Sequence, residues 1–198
     1  PFGCLPCGLA ARDSLRAGAV LPLSHQDIGN WPFINHPWEH ALPFTEDRRG
    51  FTKRFIGDDA LLAHQGTGYF TLPFAGFDLR KVQTGPQTIV VDSKDTVLGT
   101  VLTCVTDVSI DRVESQILSV NSPDKPQGFR PRGLCCGFVR LTSPLDEGSI
   151  ITVKDTRRSL PAMIMKDIRP DRTARRPVRE MLTSDDTHNH RVSNKSKH

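Results

Sequence analysis

Two arginines, Arg12 and Arg16, stand four residues apart near the front of the chain, in GLAARDSLRAG (residues 8–18). At that spacing they share one face of a helix. The start of a helix favours anions, so two cations there need partners of their own. A guanidinium is a rigid fork of donors that suits carboxylates and acceptor-rich rings. Either a ligand faces these arginines, or a nearby carboxylate such as Asp13 or Asp27 does.

Other groups with chemically suggestive spacing carry less. Cys4 and Cys7 form a C-x-x-C pair. A redox pair of this type sits between a strand and a helix, and only three residues precede Cys4. A structural zinc needs two further ligands, for which the adjacent Cys135 and Cys136 make a poor second half. Five cysteines is an odd number; free thiols in a reducing compartment are expected. HPWEH (36–40) matches an inverted zinc-hydrolase pattern, but Pro37 puts His36 at or before the helix start and spoils a common face with His40. No metal site is expected. Trp31, Phe33, Trp38 and Phe44 form an aromatic cluster that either walls a flat ligand or packs short helices on the body, packing being the commoner role. HQGTGYF (64–70) lacks the lysine of a phosphate loop and reads as a helix stop.

Charge excludes further classes. The chain of 198 residues carries a net charge of +4. Residues 169–198 alone account for it, and residues 1–168 are balanced. Nucleic-acid binding wants a basic folded face or stacking aromatics; the excess sits in a tail with no aromatic residue, so no nucleic-acid partner is expected. No run of apolar residues is long enough for a membrane span, so no membrane partner is expected. The first twenty residues hold no apolar leader core. The chain opens at Pro1 rather than Met, which fits a fragment or a processed product. The expected location is the cytoplasm, or the mitochondrial matrix in a eukaryote.

The elements that would position these residues change character along the chain. Residues 8–17 read as a short helix, and 21–33, with two prolines and a glycine, as irregular chain or a short edge strand. Residues 35–42 read as a short helix with Pro37 at its first position. FIGDDALLAHQ (55–65) is the clearest helix, with Ile56, Ala60 and Leu61 on one face and Gly66 as its stop. From residue 70 the pattern turns β-branched and partly alternating. Six strands are expected at 69–79, 87–93, 96–110, 133–141, 149–155 and 159–168, separated by turn residues such as Thr84-Gly85-Pro86 and Asp146-Glu147-Gly148. Six short strands without helices between them suggest a closed antiparallel barrel. Residues 121–133 form a long Pro/Gly-rich loop. The tail is too poor in apolar residues to fold alone, and its DTHNH (186–190) would bind metal only weakly.

The order GLAARDSLR, HPWEHAL and FIGDDALL, followed by a small barrel, resembles the C-terminal half of the glycine cleavage T-protein (aminomethyltransferase) family. VLGTVLTCVTDVS (96–108) is similar to the family's I-G-x-V-T-S-G strand. Residues 133–166 are similar to its closing G-Y-V…R…A-x-V-V stretch. The resemblance runs from about residue 6 to 168. It implies an α+β fold: a partial mixed α/β folate-cavity domain over residues 1–66, a six-stranded antiparallel β-barrel domain over 67–170, and a flexible basic tail over 171–198. It implies tetrahydrofolate as cofactor and transfer of a methyl or methylene unit, with Arg12 lining the folate cavity, Arg16 facing the scaffold and a lipoyl carrier protein as a partner. The family's catalytic aspartate and a folate-binding glutamate lie in the preceding half, so no catalytic residue is assigned. Three further departures stand out: L-E-A-G is Ala17-Gly18-Ala19-Val20 here, L-Y-G is Leu23-Ser24-His25, and R-E of F-I-G-R-E-A-L is Asp58-Asp59. The competing expectation is a non-catalytic module or an inactive fragment that binds folate or a partner without turnover.

Overall fold

The computed structural model describes residues 3–31, 33–177 and 179. Its centre is a closed six-stranded antiparallel barrel with a few helices around it, a mixed α+β fold. The barrel strands are β1 (Phe70–Gly76), β2 (Ile89–Val91), β3 (Val97–Asp107), β6 (Leu134–Leu141), β7 (Ile150–Lys154) and β8 (Ser159–Ile164). They neighbour one another in the order β1-β6-β3-β2-β7-β8, and β8 closes on β1 through Phe74↔Ile164. All six fall inside the segments that alternation and turn residues mark in the sequence.

A strand alternates its side chains between two faces, and on β6 and parts of β1 and β3 both faces find cover. Inside the barrel lie Phe74, Val90, Val101, Val139, Leu141, Ile151, Val153 and Ile164. Outside, Ala75, Leu134, Cys136 and Phe138 form a second buried cluster with Ala17, Val20, Ile110, Ile117 and Ile168. Strand β6 is therefore buried on both sides over most of LCCGFVRL, and reads as a continuous apolar run. Gly137 makes this possible where β6 meets β3: a Cβ there would stand 1.8 Å from the Thr103 carbonyl oxygen.

The outer cluster is covered from two directions. Helix α1 (Leu9–Gly18) lies on β3 and β6, burying Arg16, Ala17 and Gly18. A hairpin of β4 (Ile110–Val113) and β5 (Gln116–Ser119) contributes Ile110 and Ile117. The sequence reading missed this hairpin, folding Ile110 into the preceding strand. Its tight connection carries no glycine, and Glu114 takes the left-handed conformation there at φ 56°.

Between α1 and the barrel the chain departs from expectation. Residues 21–31 are irregular chain with a π-helical turn at Ser24–Ile28, the first of the two expected alternatives apart from that turn, and hold no edge strand. Residues 35–42 do not form one helix: Pro37 separates 3₁₀ turns at Phe33–Asn35 and Glu39–Ala41. The helix expected over 55–65 is a shorter α2 (Asp58–Ala63). Ile56 precedes it and is fully exposed, and the buried residue of the helix is Asp58. Arg54 holds Asp58 (2.8 Å) and Asp59 (2.7 Å), so local ion pairs rather than an apolar face set this turn.

After β8 the chain returns to α1. The Arg169 amide donates to the Gly18 carbonyl (3.1 Å), and the Ala174 amide to Ala19 (3.1 Å). The first residues of the expected tail, 171–177, thus follow the body; Thr173 is buried and donates to Asp167 (2.6 Å). Most of the remaining tail, DTHNH included, lies outside the described residues.

Candidate functional site

Helix α1 begins at Gly8 with no side-chain cap and no acidic residue in its first turn. Its two arginines have different fates. Arg12 is exposed, and its guanidinium donates twice to Asp13 Oδ1, at 3.1 and 3.3 Å. Arg16, one turn later, is 7% exposed and anchors a buried polar network. Its Nη1 meets Asp27 Oδ2 at 2.5 Å, its Nε donates to Asp13 Oδ1 at 2.8 Å, and its Nη2 donates to Thr103 Oγ1 at 3.1 Å. Thr103 in turn donates to Asp27 Oδ1 (2.6 Å), and the Leu23 amide donates to Asp27 Oδ2 (2.8 Å). Gln26 Nε2 adds bonds to Thr103 Oγ1 (2.9 Å) and the Leu102 carbonyl (3.0 Å).

This arrangement fixes α1 and the π turn to β3. Removing a charge pair from water costs several kcal/mol per ion, so it persists only when the remaining lone pairs and protons are satisfied. Both Asp27 oxygens and all three guanidinium nitrogens of Arg16 are engaged. Asp13 sits between the two arginines. Partial burial pushes its carboxyl up, but hydrogen bonds from Arg16 and Arg12 outweigh that and hold it below the ordinary value.

A second buried pair locks the other end of α1. Arg169 Nε donates to Asp107 Oδ2 at 2.7 Å, and its Nη2 reaches the Ser109 hydroxyl. The Arg169 side chain crosses Gly18, where a Cβ would lie 2.9 Å from its Nε. A cation at this position also complements the carbonyl end of the helix. Neither Asp107 nor Arg169 was singled out in the sequence, because their partners are remote in the chain and no local pattern marks them.

The remaining candidates disperse. His36 is buried with both ring nitrogens unpaired, and burial lowers its pKa to about 4. His40 is exposed and pairs with the Pro37 carbonyl oxygen (3.2 Å). No group of three metal-ligating side chains exists among the described residues. The aromatic cluster divides into packing sets. Trp31 meets Tyr69 at 4.3 Å between centroids, with Arg140 over both rings; Phe33 stacks on His36 and abuts Trp38; Phe44 packs on Phe51. The thiols of Cys4 and Cys7 are exposed, and those of Cys104, Cys135 and Cys136 are buried.

Concavities open on the surface of the described residues. One of about 640 Å³ lies between the β4–β5 hairpin and residues 165–176. One of about 350 Å³ is walled by His36, Phe70, Leu72 and Arg175, and one of about 520 Å³ by Lys81, Gln83, Cys104, Arg157 and Arg158. Another, about 480 Å³, is walled by Gln26, Thr100 and Arg140. Arg12 lines none of them. A pterin needs walls on both faces and donors along its edge, and this chain surrounds Arg12 with solvent and Asp13. The described residues therefore do not by themselves build a folate cavity around Arg12.

A small closed barrel braced by an N-terminal helix through buried ion pairs is the class of structure seen here. Among solved structures it is similar to the glycine cleavage system aminomethyltransferase T from Bartonella henselae, with a TM-score of 0.50 and 20% identity. The match covers 80% of this chain and 37% of that one, so this chain spans little more than a third of that protein's length. At this identity the likeness shows the fold. No known family profile matches the sequence, and no curated protein matches it. No described helix is long and apolar enough to cross a membrane.

Proposed function

We propose that this chain is the barrel-bearing part of a tetrahydrofolate-dependent one-carbon transferase of the glycine cleavage T-protein type, passing a methyl or aminomethyl-derived unit to or from folate. The observation that carries this reading is the agreement of two likenesses. The motifs GLAARDSLR and FIGDDALL precede the barrel in the T-protein order, and the fold aligns with an aminomethyltransferase T over 80% of the chain. In this reading Arg12 faces the folate, and the proton-transferring carboxylate comes from the part of the fold this chain does not span. Arg16, tied to Asp27 and Thr103, holds the helix that presents Arg12. A lipoyl carrier protein is the partner such a transferase would meet.

The test is a titration of 5-formyltetrahydrofolate into the full chain, followed by Trp fluorescence and by melting temperature. Saturable quenching and a raised melting temperature are expected, with Arg12→Ala weakening the apparent affinity at least about tenfold, the loss of one charge-assisted pair. Arg12 is exposed and its partner is a neighbour, so the same substitution should change stability by less than about 0.5 kcal/mol. No quenching and no thermal shift at millimolar ligand would remove the folate assignment from this chain and leave a binding module without turnover.

A further inference from the structure

The buried thiols do not enter the folate reading, and two of them share a site. Cys104 lies on β3 opposite Gly137 of β6, and Cys135 is two residues along from that glycine. Residues two apart on a strand point to the same side, and both sulfurs face the barrel interior, whereas Cys136 faces the outer cluster. Gly137 places no side chain between them. On its other flank Cys135 lies against β1, where Gly76 leaves room: a Cβ there would stand 2.3 Å from the Cys135 sulfur.

Access is one-sided. Cys104 forms part of the wall of the concavity lined by Lys81, Gln83, Thr84, Asp155, Arg157 and Arg158, three cations against one carboxylate, while Cys135 lies behind it, 1% exposed. Of the cations on this wall, Lys81 favours the Cys104 anion. The Cys104 thiol is pulled below its ordinary value chiefly by the S–H of Cys135, with help from the Val82 amide and the charge of Lys81 against the opposing cost of burial. Cys135 is pushed the other way, by the same contact and by burial. The pair is thus unequal in access, with the Cys104 sulfur at the mouth and the Cys135 sulfur behind it.

We propose that Cys104 and Cys135 form an oxidisable dithiol, entered through the basic concavity by a small peroxide, with Cys104 attacking and Cys135 resolving. The Cys104 thiolate attacks one peroxide oxygen. An S–O bond forms, the O–O bond breaks, and the departing hydroxide takes up a proton to become water. The Cys135 sulfur then displaces hydroxide from the Cys104 sulfenic acid. An S–S bond forms, the S–O bond breaks, and the Cys135 proton leaves with the hydroxide as a second water. Two thiols lose two electrons, and one hydrogen peroxide becomes two waters.

Diagonal neighbours across an antiparallel pair lie roughly 7–8 Å apart at Cα, beyond the roughly 4.4–6.8 Å a disulfide spans. Closure therefore draws the start of β6 toward β3. Cys135 is the second residue of β6, and its amide donates to the Asp78 carbonyl at 2.7 Å. Oxidation would pull on that bond and on the segment that carries Lys81 into the concavity.

The experiment treats the full chain carrying Cys4→Ser and Cys7→Ser, which silences the exposed thiols, with hydrogen peroxide, followed by peptide mass mapping under alkylating, denaturing conditions. The expected product is 2 Da lighter, with Cys104 and Cys135 in one linked pair of peptides and Cys136 alkylated, and dithiothreitol reverses it. Adding Cys135→Ser should abolish the link and let dimedone trap a sulfenic acid on Cys104. In the undenatured protein, Cys104 should react with a small alkylating agent at least about tenfold faster than Cys136. The proposal is overturned if peroxide yields no Cys104–Cys135 link in the chain with native barrel thiols, or if Cys136 reacts as fast as Cys104.

Discussion

At the scale of single residues, the two arginines of α1 have different surroundings: Arg12 is exposed beside Asp13, and Arg16 is buried. Arg16 is the structural one. Substituting Asp27 by Ala leaves its guanidinium buried without its main partner, and should cost about 3–5 kcal/mol in urea unfolding. Replacing both, as Arg16→Met with Asp27→Leu, should recover most of that loss, because the desolvation cost leaves with the charges. His36 supplies a pH-dependent counterpart. Its folded pKa is about 4 against 6.5 for a free imidazole, so the folded state resists protonation. Above about pH 6.5 it contributes nothing. As pH falls from there toward 4, the unfolded chain takes up a proton that the folded one does not, and stability drops by up to about 3 kcal/mol. Urea titrations at pH 7.5, 5.5 and 4.5 should show this decline in the parent protein and a shallower one in His36→Phe. Equal slopes in the two would show that His36 is not responsible.

At the scale of elements, strand β6 carries the heaviest demand, because both of its faces are buried and β3 and β1 flank it. Gly137→Ala places a methyl group against the Thr103 carbonyl, and should destabilise by at least about 1–3 kcal/mol, the cost of overpacking a tight core. A melting temperature within a degree of the parent's would contradict that packing. The six barrel strands were legible because β-branched residues alternate between turn signals, a pattern that survives without knowledge of the partners. The β4–β5 hairpin was not legible: its turn uses Glu114 in place of a glycine, and nothing local announces a reversal. Residues 55–65 misled in the opposite direction. Their apolar periodicity is real, yet Ile56 is exposed and Arg54 with Asp58 organises the turn. Periodicity reports which face is apolar, not whether anything covers it. In the site, Arg12 and Arg16 were visible as a pair, but their division of roles depended on Thr103, remote in sequence.

At the scale of the whole molecule, α1 and the barrel share one core. Ala17 and Val20 lie in the same buried cluster as Leu134 and Phe138, and Arg140 of β6 sits over the ring of Trp31. Unfolding should therefore be a single transition, with Trp fluorescence and far-ultraviolet circular dichroism giving coincident midpoints. Separate midpoints would mean that residues 1–66 hold together independently of the barrel. The same sharing explains why sequence alone divides the chain too simply: the change from helical to strand periodicity near residue 67 marks a change of secondary structure, while the cluster crosses it.

The clasp of Arg169 over Gly18 also has a bearing on how the protein is made. A ribosome delivers α1 early and Arg169 late, after every barrel strand has emerged. Until that guanidinium arrives, Asp107 has no cation to meet it and the notch at Gly18 stays open. A nascent chain with every barrel strand outside the ribosome and Arg169 still inside it would hold an assembled barrel with α1 loosely seated, and emergence of residues 169–174 would fasten that helix down.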